Sequence, residues 1–293
     1  MRMRLVQADP LASGHPDLPL LQRLANALKL RAAGGNLSHD LPLLIRQAID
    51  EVIDTPRTGR VHARELEKTE KTYIGTKVEI IVRNYFRLPK GILDLLVDGL
   101  DVDVKNTLGD SWMIPREAVG KPCIVVASDE ERRTCYFGII IAKLEYLTQA
   151  TNQDLKRSIT AAGMKNIFWL VFNQAYPPSF WSELGDTKTH TIMRGLSGTD
   201  RVAALFREAL RVVVHRDIVQ AVAQQKDYMK RLRKNGGARD RLEAEGIAIL
   251  SGLYDTPLLQ PLGLPALNRD EFISVMPQAP EHIDLLRRAG KIR

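Results

Sequence analysis

The sequence predicts an α/β (α+β) protein whose first domain holds a sheet and whose second domain is mainly helical. Near-continuous apolar runs at 122–127 and 134–143 predict strands that are buried on both faces. Residues 20–28 and 44–52 carry apolar side chains at helical spacing, which predicts two amphipathic helices near the start. Proline and polar residues over 173–186 indicate a linker, so we expect two domains.

The composition is that of a globular protein with a net positive charge. The 293 residues are 44% hydrophobic and 26% charged, which is typical of a globular protein and argues against disorder. The net charge of +7 favours a polyanionic partner. Because the chain shows no signal-peptide pattern and no long uncharged apolar run, we expect a soluble cytoplasmic protein with no membrane partner. Cys123 and Cys135 lack neighbours at zinc-ligand spacing and are expected to stay reduced.

A hairpin is predicted over residues 92–105, with the sequence I-L-D-L-L-V-D-G-L-D-V-D-V-K. Asp98-Gly99 between two apolar runs is a strong signal for a two-residue turn, because both central positions need positive φ. This turn would place Asp94 opposite Asp103. Since side chains alternate along a strand, one face is entirely apolar: Leu93, Leu95, Val97, Leu100, Val102 and Val104.

The other face of the hairpin carries Asp94, Asp101, Asp103 and Lys105. Opposed carboxylates repel, and a hard divalent cation bound by their oxygens would offset that repulsion. Metal-dependent phosphodiester cleavage uses such acids to hold Mg²⁺, together with a lysine that orients water or neutralises charge. The spacing resembles the PD-(D/E)xK nuclease signature, with Leu93 in place of the usual proline. The alternative to a metal site is an ordinary hairpin face exposed to solvent. Asp101 is an additional acid on this face.

A third helix is predicted over 63–86, with Glu79 at the edge of its apolar stripe. Gly75 lies one turn earlier, and glycine inside a helix costs up to about 1 kcal/mol relative to alanine. Close approach of another group would explain that glycine. Glu79 either completes an acidic cluster with Asp94 and Asp103 or is an exposed helical glutamate.

Two other segments of the first domain have less specific patterns. Trp112 lies beside a turn that begins with a proline. It is predicted either to lie in a loop that faces a groove or to anchor the core. Residues 152–162 predict a polar helix.

The second domain is predicted over 187–293, after the linker and a first domain of residues 1–172 whose nuclease-like core spans about 63–170. Helices are expected over 200–214, 215–223 and 227–233, and a strand over 246–253 would form a wing. One continuous helix from 215 to 234 is the alternative. Basic side chains around a Gly-Gly turn suit DNA phosphate contacts, although a solvated basic helix would look the same: Lys226, Lys230, Arg231, Arg233, Lys234 and Arg239.

Several short motifs occur in order between about residues 50 and 255. They are R-T-G-R (57–60), K-T-E-K-T (68–72), G-T-x-V-E-I (75–80), D-V-K (103–105), W-M-x-P (112–115), D-L-K-R (154–157), A-V-A-Q-Q (221–225), M-K-R (229–231), G-G-A-R (236–239) and E-G-I (245–247). In these motifs the chain resembles the NaeI-type restriction endonucleases.

That resemblance implies a prokaryotic protein with a restriction-endonuclease-like mixed sheet flanked by helices and a winged-helix or helix-turn-helix-like second domain. It also implies a homodimer that cleaves double-stranded DNA with Mg²⁺ at a short GC-rich palindrome, leaves 5′-phosphates and binds a second, effector copy of the site. Position by position, the metal-site acids fall on Glu79, Asp94 and Asp103, and the catalytic lysine on Lys105. The alternatives are a non-catalytic DNA-binding regulator and a repair nuclease of the same fold.

Overall fold

The chain folds into two compact units in a computed structural model that describes residues 10–32, 35–109 and 111–293. The first unit holds the described residues up to Ile53 together with His62–Ser179. The second holds Asp54–Val61 and Phe180–Arg293. Residues 1–9, which belong to the predicted first domain, lie outside the described residues.

The helices and strands are numbered in chain order. The helices are α1 (Leu18–Arg31), α2 (Leu37–Ile53), α3 (Thr55–Thr58), α4 (Lys68–Tyr85), α5 (Ala161–Met164), α6 (Phe180–Leu184), α7 (Asp186–Met193), α8 (Gly198–Glu208), α9 (Arg216–Ala223), α10 (Tyr228–Leu232), α11 (Ala238–Ala244), α12 (Thr256–Leu259) and α13 (Pro280–Arg288). The strands are β1 (Leu95–Val97), β2 (Leu100–Thr107), β3 (Met113–Ile114), β4 (Pro122–Asp129), β5 (Thr134–Ile141), β6 (Arg157–Ser158), β7 (Phe168–Ala175), β8 (Val213–His215), β9 (Ala248–Ser251) and β10 (Glu271–Val275). Within these residues, no helix is long and apolar enough to cross a membrane.

The first unit is built on a five-stranded sheet with the order β1-β2-β4-β5-β7. Strands β2 and β4 run parallel, whereas the other neighbours run antiparallel. The sheet is therefore mixed, as expected. Its parallel pair requires a connection that leaves the sheet after β2 and returns at β4.

Both faces of this sheet are covered, which confirms the two predicted buried strands. Ile124 and Val126 pack in one core with the apolar stripes of α1, α2 and α4. The alternate residues Cys123 and Val125 pack in a separate core on the other face. Trp112 is fully buried in that second core, and its Nε1 donates a hydrogen bond to the carbonyl of Val126 at 2.7 Å. Of its two predicted roles, the structure therefore supports the core anchor.

Two predictions need correction, one within the first unit and one for the residues between the two predicted domains. The polar helix expected over 152–162 is reduced to the single turn of α5, because Arg157–Ser158 pairs with Met113–Ile114 as a short ladder. The linker expected over 173–186 is also wrong in its bounds. Strand β7 continues to Ala175 beside β5, and helices α6 and α7 begin before residue 187.

The second unit places helices around a three-stranded antiparallel sheet with the order β8-β10-β9. In chain order, its elements after helix α8 are strand β8, helices α9 to α11, strand β9, helix α12, strand β10 and helix α13. Helix α8 buries Val202, Leu205 and Phe206 as its stripe predicted. It ends at Glu208, however, because the backbone turns at Arg211 (φ 61°) into β8, so the predicted extent to 214 is wrong.

The region after β8 forms separate helices. Gln224 adopts the left-handed conformation (φ 53°) and ends α9, so the alternative of one helix from 215 to 234 is excluded. The expected strand over 246–253 is present as β9. Its partner is β10, which lies in the tail of the chain and carries no strong strand signal in the sequence.

Candidate active site on the β1–β2 hairpin

The hairpin between β1 and β2 has the predicted turn and register. Asp98 (φ 49°) and Gly99 (φ 76°) both adopt positive φ, as a two-residue hairpin turn requires. Leu95 pairs with Val102, Leu96 with Asp101, and Val97 with Leu100. This register fixes which side chains share a face.

The apolar face of the hairpin anchors it in the main core of the first unit. Leu95, Val97, Val102 and Val104 are buried there together with residues of α4. Burial of that face leaves Asp94, Asp103 and Lys105 on the opposite side. The acids and the lysine are therefore held by a rigid support.

Lys105 contacts both aspartates. Its Nζ lies 2.7 Å from Oδ1 of Asp103 and 3.7 Å from Oδ2 of Asp94, and it also donates to the carbonyl of Val104 at 3.1 Å. Asp94 Oδ2 accepts a hydrogen bond from the backbone N–H of Val104 at 2.6 Å. The ammonium group partly neutralises two carboxylates that would otherwise repel each other.

Asp103 is the most buried of these groups, with 3% of its surface exposed. Burial raises the pKa of its carboxyl, against the opposing effect of Lys105, and the Asp94 carboxylate adds to the rise. Its Oδ2 is buried and has no hydrogen-bond partner among the described residues. A buried acceptor without a partner costs about 1–3 kcal/mol, so this oxygen is suited to receive a ligand.

Glu79 lies on α4 at the border of this site. Burial and the charge of Asp94 raise the pKa of Glu79, whereas Arg83, Lys105 and Lys90 lower it. Glu79 is thus an electrostatic neighbour of Asp94, and Asp94 is one of Asp103. Within residues 10–32, 35–109 and 111–293, however, no three acidic, histidine or cysteine side chains are close enough to form a metal site.

In the described part of the chain, Asp101 forms no ion pair with Lys105 and instead binds a backbone N–H group. Both of its carboxylate oxygens accept the backbone N–H of Leu93, at 3.0 and 3.1 Å. The hairpin face that the sequence predicts as a row of four polar groups is therefore divided. Asp94, Asp103 and Lys105 form one group, and Asp101 binds the chain that leads into β1.

Two cations beside Glu79 were not among the predicted site residues. Arg83 Nη1 lies 3.5 Å from Glu79 Oε1, and the charge of Lys90 also acts on Glu79. The position of Arg83, four residues after Glu79 on one helix, was a signal available in the sequence. Lys90 lies in a loop, and its proximity depends on the fold of residues 86–94.

The basic residues predicted to bind DNA occupy different environments in the second unit. Lys226, Lys230, Arg233 and Lys234 are exposed. Lys230 pairs with Asp227 at 3.3 Å and Lys234 with Glu243 at 3.2 Å. Arg231 and Arg239 are half-buried, and burial lowers the pKa of Arg239.

A mixed sheet flanked by helices, with two aspartates and a lysine on an edge hairpin, has the architecture of the restriction-endonuclease-like fold. The family described as restriction endonuclease NaeI matches residues 23–282 of the chain. The chain is also 31% identical over 275 residues to the type II restriction enzyme NaeI of Lentzea aerocolonigenes, covering 90% of this chain and 85% of that protein. The chain belongs to the NaeI family of restriction endonucleases, and it is accordingly a site-specific deoxyribonuclease.

Proposed function

We propose that the first unit hydrolyses phosphodiester bonds in double-stranded DNA with Mg²⁺ held by Asp94 and Asp103, and with Glu79 as an outer or second-metal ligand. The observation that carries the proposal is the ammonium of Lys105, which lies 2.7 Å from Asp103 and 3.7 Å from Asp94. This cation and the two acids are the groups that metal-dependent phosphodiester cleavage requires.

The residues fit a hard divalent cation. Carboxylate oxygens are the ligands that Mg²⁺ prefers, and Asp103 offers a buried oxygen without a hydrogen-bond partner among the described residues. Two partly buried carboxylates also favour added positive charge. Bound there, Mg²⁺ would supply Lewis acidity toward the phosphate and lower the pKa of a coordinated water.

Lys105 acts in this proposal as a positive charge. An ammonium that contacts two carboxylates is favoured over the neutral amine, so Lys105 is poorly suited to accept a proton. It is suited to orient the attacking water and to neutralise the charge that develops on the phosphate. Asp103 and the Val104 carbonyl hold the ammonium in place for that role.

For the second unit, we propose that it binds an effector copy of the recognition site. The winged-helix order of its elements and the exposed cations Lys226, Lys230, Arg233 and Lys234 support this role. The resemblance to the family supports a short GC-rich palindrome as the target and 5′-phosphate ends as the products. A palindrome is matched by a two-fold symmetric homodimer, which would present one active site to each strand.

The test is to incubate purified protein with a sequenced supercoiled plasmid that has several GC-rich palindromes, in Mg²⁺ or in EDTA. Discrete Mg²⁺-dependent fragments are expected, and sequencing their ends gives the site and the phosphate position. Loss of these fragments in Lys105→Ala would attribute them to this site. A plasmid that is bound but stays intact on multi-site DNA would contradict the proposal and favour a DNA-binding regulator, and preference for mismatched DNA would favour a repair nuclease.

A further inference from the structure

The segment that leads into β1 carries Asp94 and is held by side-chain as well as backbone contacts. Leu96 N donates to the carbonyl of Pro89 at 2.9 Å, and Asp94 N lies 3.3 Å from the carbonyl of Val102. Regular pairing with β2 begins only at Leu95. Residues 89–94 therefore depend on a few specific bonds for their position.

Asp101 supplies one of these bonds from the neighbouring strand. Its Oδ1 and Oδ2 accept the N–H of Leu93 at 3.0 and 3.1 Å, directly before Asp94. Bonds from backbone N–H groups to an ionised carboxylate are stronger than neutral ones. Strand β2 thus presents Asp103 and, two residues earlier, the side chain that fixes the backbone next to Asp94.

Gly91 provides an independent sign of this contact. A Cβ at position 91 would lie 2.1 Å from Oδ1 of Asp101 and 3.0 Å from the carbonyl oxygen of Leu95. The Asp101 carboxylate therefore occupies the space that any other side chain at 91 would need. A side chain at 91 would therefore have to displace the carboxylate; the backbone of Gly91 does not adopt positive φ.

We propose that Asp101 is a positioning residue: its carboxylate holds the Leu93 amide and thereby sets Asp94 for metal binding, and it does not itself bind the metal. The inference rests on the proposed function for the role of Asp94. The bond to Leu93 and the steric fit with Gly91 are testable without any cleavage.

The central experiment compares Asp101→Ala, Gly91→Ala and the double variant with the wild type. Gly14→Ala is the matched control, because a Cβ there meets nothing within 4 Å. Hydrogen exchange of peptides spanning residues 90–96 reports the Leu93 amide, and Mn²⁺ titration without DNA reports the metal site. Both singles should accelerate exchange and weaken Mn²⁺ binding on the order of tenfold, the usual effect of losing a group that orients a ligand.

The double variant separates the proposed contact from two unrelated defects. Removing the carboxylate takes away the contact at 2.1 Å and leaves a Cβ at 91 only the tight approach to the Leu95 carbonyl at 3.0 Å, so Gly91→Ala should have a much smaller effect in the Asp101→Ala background than in the wild type. Independent effects would instead multiply to roughly a hundredfold. Multiplication of the two effects would overturn the proposed contact.

Asp101→Asn distinguishes positioning from metal ligation. The amide oxygen can still accept the Leu93 N–H, so exchange and Mn²⁺ binding should stay within about threefold of the wild type. If Asp101→Asn loses Mn²⁺ binding as fully as Asp103→Ala, Asp101 is a ligand and the proposal fails. Unchanged exchange in Asp101→Ala would also overturn it, whereas a wild type that cleaves no DNA would contradict only the proposed function.

Discussion

Lys105 Nζ lies 2.7 Å from Asp103 Oδ1, and the two side chains project from the same face of β2, two residues apart. The same nitrogen lies 3.7 Å from Asp94 Oδ2 on the segment before β1. The lysine thus links the two halves of the hairpin at the point where the proposed chemistry takes place. Removing it changes the charge of the site without removing an anchor of the core.

Substituting Lys105 or Asp103 with alanine should abolish cleavage and leave DNA binding largely intact. Lys105→Ala removes the positive charge that acts on the reacting phosphate, and Asp103→Ala removes a ligand of the proposed metal ion; losing one such electrostatic group slows a reaction roughly 10²–10³-fold. Cleavage in Mg²⁺ and a gel shift in Ca²⁺ measure the two effects. Lys121→Ala, at an exposed lysine just before β4, is the control. Retained cleavage by both variants would refute the assignment of the site.

The exposed cations of the second unit should contribute to the salt dependence of DNA affinity. Replacing Lys226 and Arg233 with alanine should weaken binding and reduce the slope of log K against log[salt] by about one for each phosphate that is no longer neutralised. Lys188→Ala is a suitable control in the same unit, since its ammonium is bound to the carbonyl of Glu208 at 3.0 Å. An unchanged slope would mean that these side chains do not contact phosphate.

Asp200 should make the stability of the second unit dependent on pH. Ser197 and Arg241 lower its pKa from 3.8 to about 2, because Asp200 closes a capping box with Ser197 at the start of α8. A depressed pKa means that the stabilisation is complete above about pH 4 and is lost as the pH falls through about 2. Asp200→Asn should therefore destabilise the protein near neutral pH, and its effect should diminish in acid.

The expected loss in the free energy of unfolding follows from the capping of helix α8. Ser197→Ala removes the side-chain acceptor of the Asp200 N–H and should cost about 1 kcal/mol. Urea unfolding of the two variants at several pH values measures both effects. A destabilisation by Asp200→Asn that is constant down to pH 2 would contradict the assignment of the low pKa to this contact.

Gly75→Ala should stabilise the protein. Gly75 lies inside α4, and a Cβ there would meet nothing within 4 Å. The gain should approach about 1 kcal/mol, the difference in helix propensity between the two residues. Thermal unfolding without DNA measures it, with Thr76→Ser, which leaves helix propensity nearly unchanged, as a neighbouring exposed control. A lower midpoint for Gly75→Ala would show that the glycine has a structural reason to be there.

Local patterns predicted the β1–β2 hairpin better than they predicted the second unit. The turn at Asp98-Gly99 depends on backbone conformation over two residues, so the register of Leu95 with Val102 followed from it. The buried strands β4 and β5 were visible as apolar runs. These features are local, and their physical causes are contained in the residues that show them.

Features that depend on remote partners were not predictable from the same patterns. Asp101 and Asp103 lie on the same face of β2, so the alternation of side chains along the strand does not distinguish them. Their contacts differ, because Asp101 approaches Gly91 and accepts the N–H of Leu93. The role of Trp112 depends on the carbonyl of Val126 in strand β4, which accepts a hydrogen bond from its Nε1. The end of α9 at Gln224 has no glycine or proline to mark it.

Strand β10 lies between β8 and β9, yet it is made last of the three. On the ribosome, the five strands of the first sheet have all been synthesised once residue 175 is complete. The second sheet cannot form until residues 271–275 have been synthesised, because its outer strands β8 and β9 both pair with β10. A premature stop codon between these points would therefore produce a chain that contains every strand of the first sheet but lacks β10, the central strand of the second.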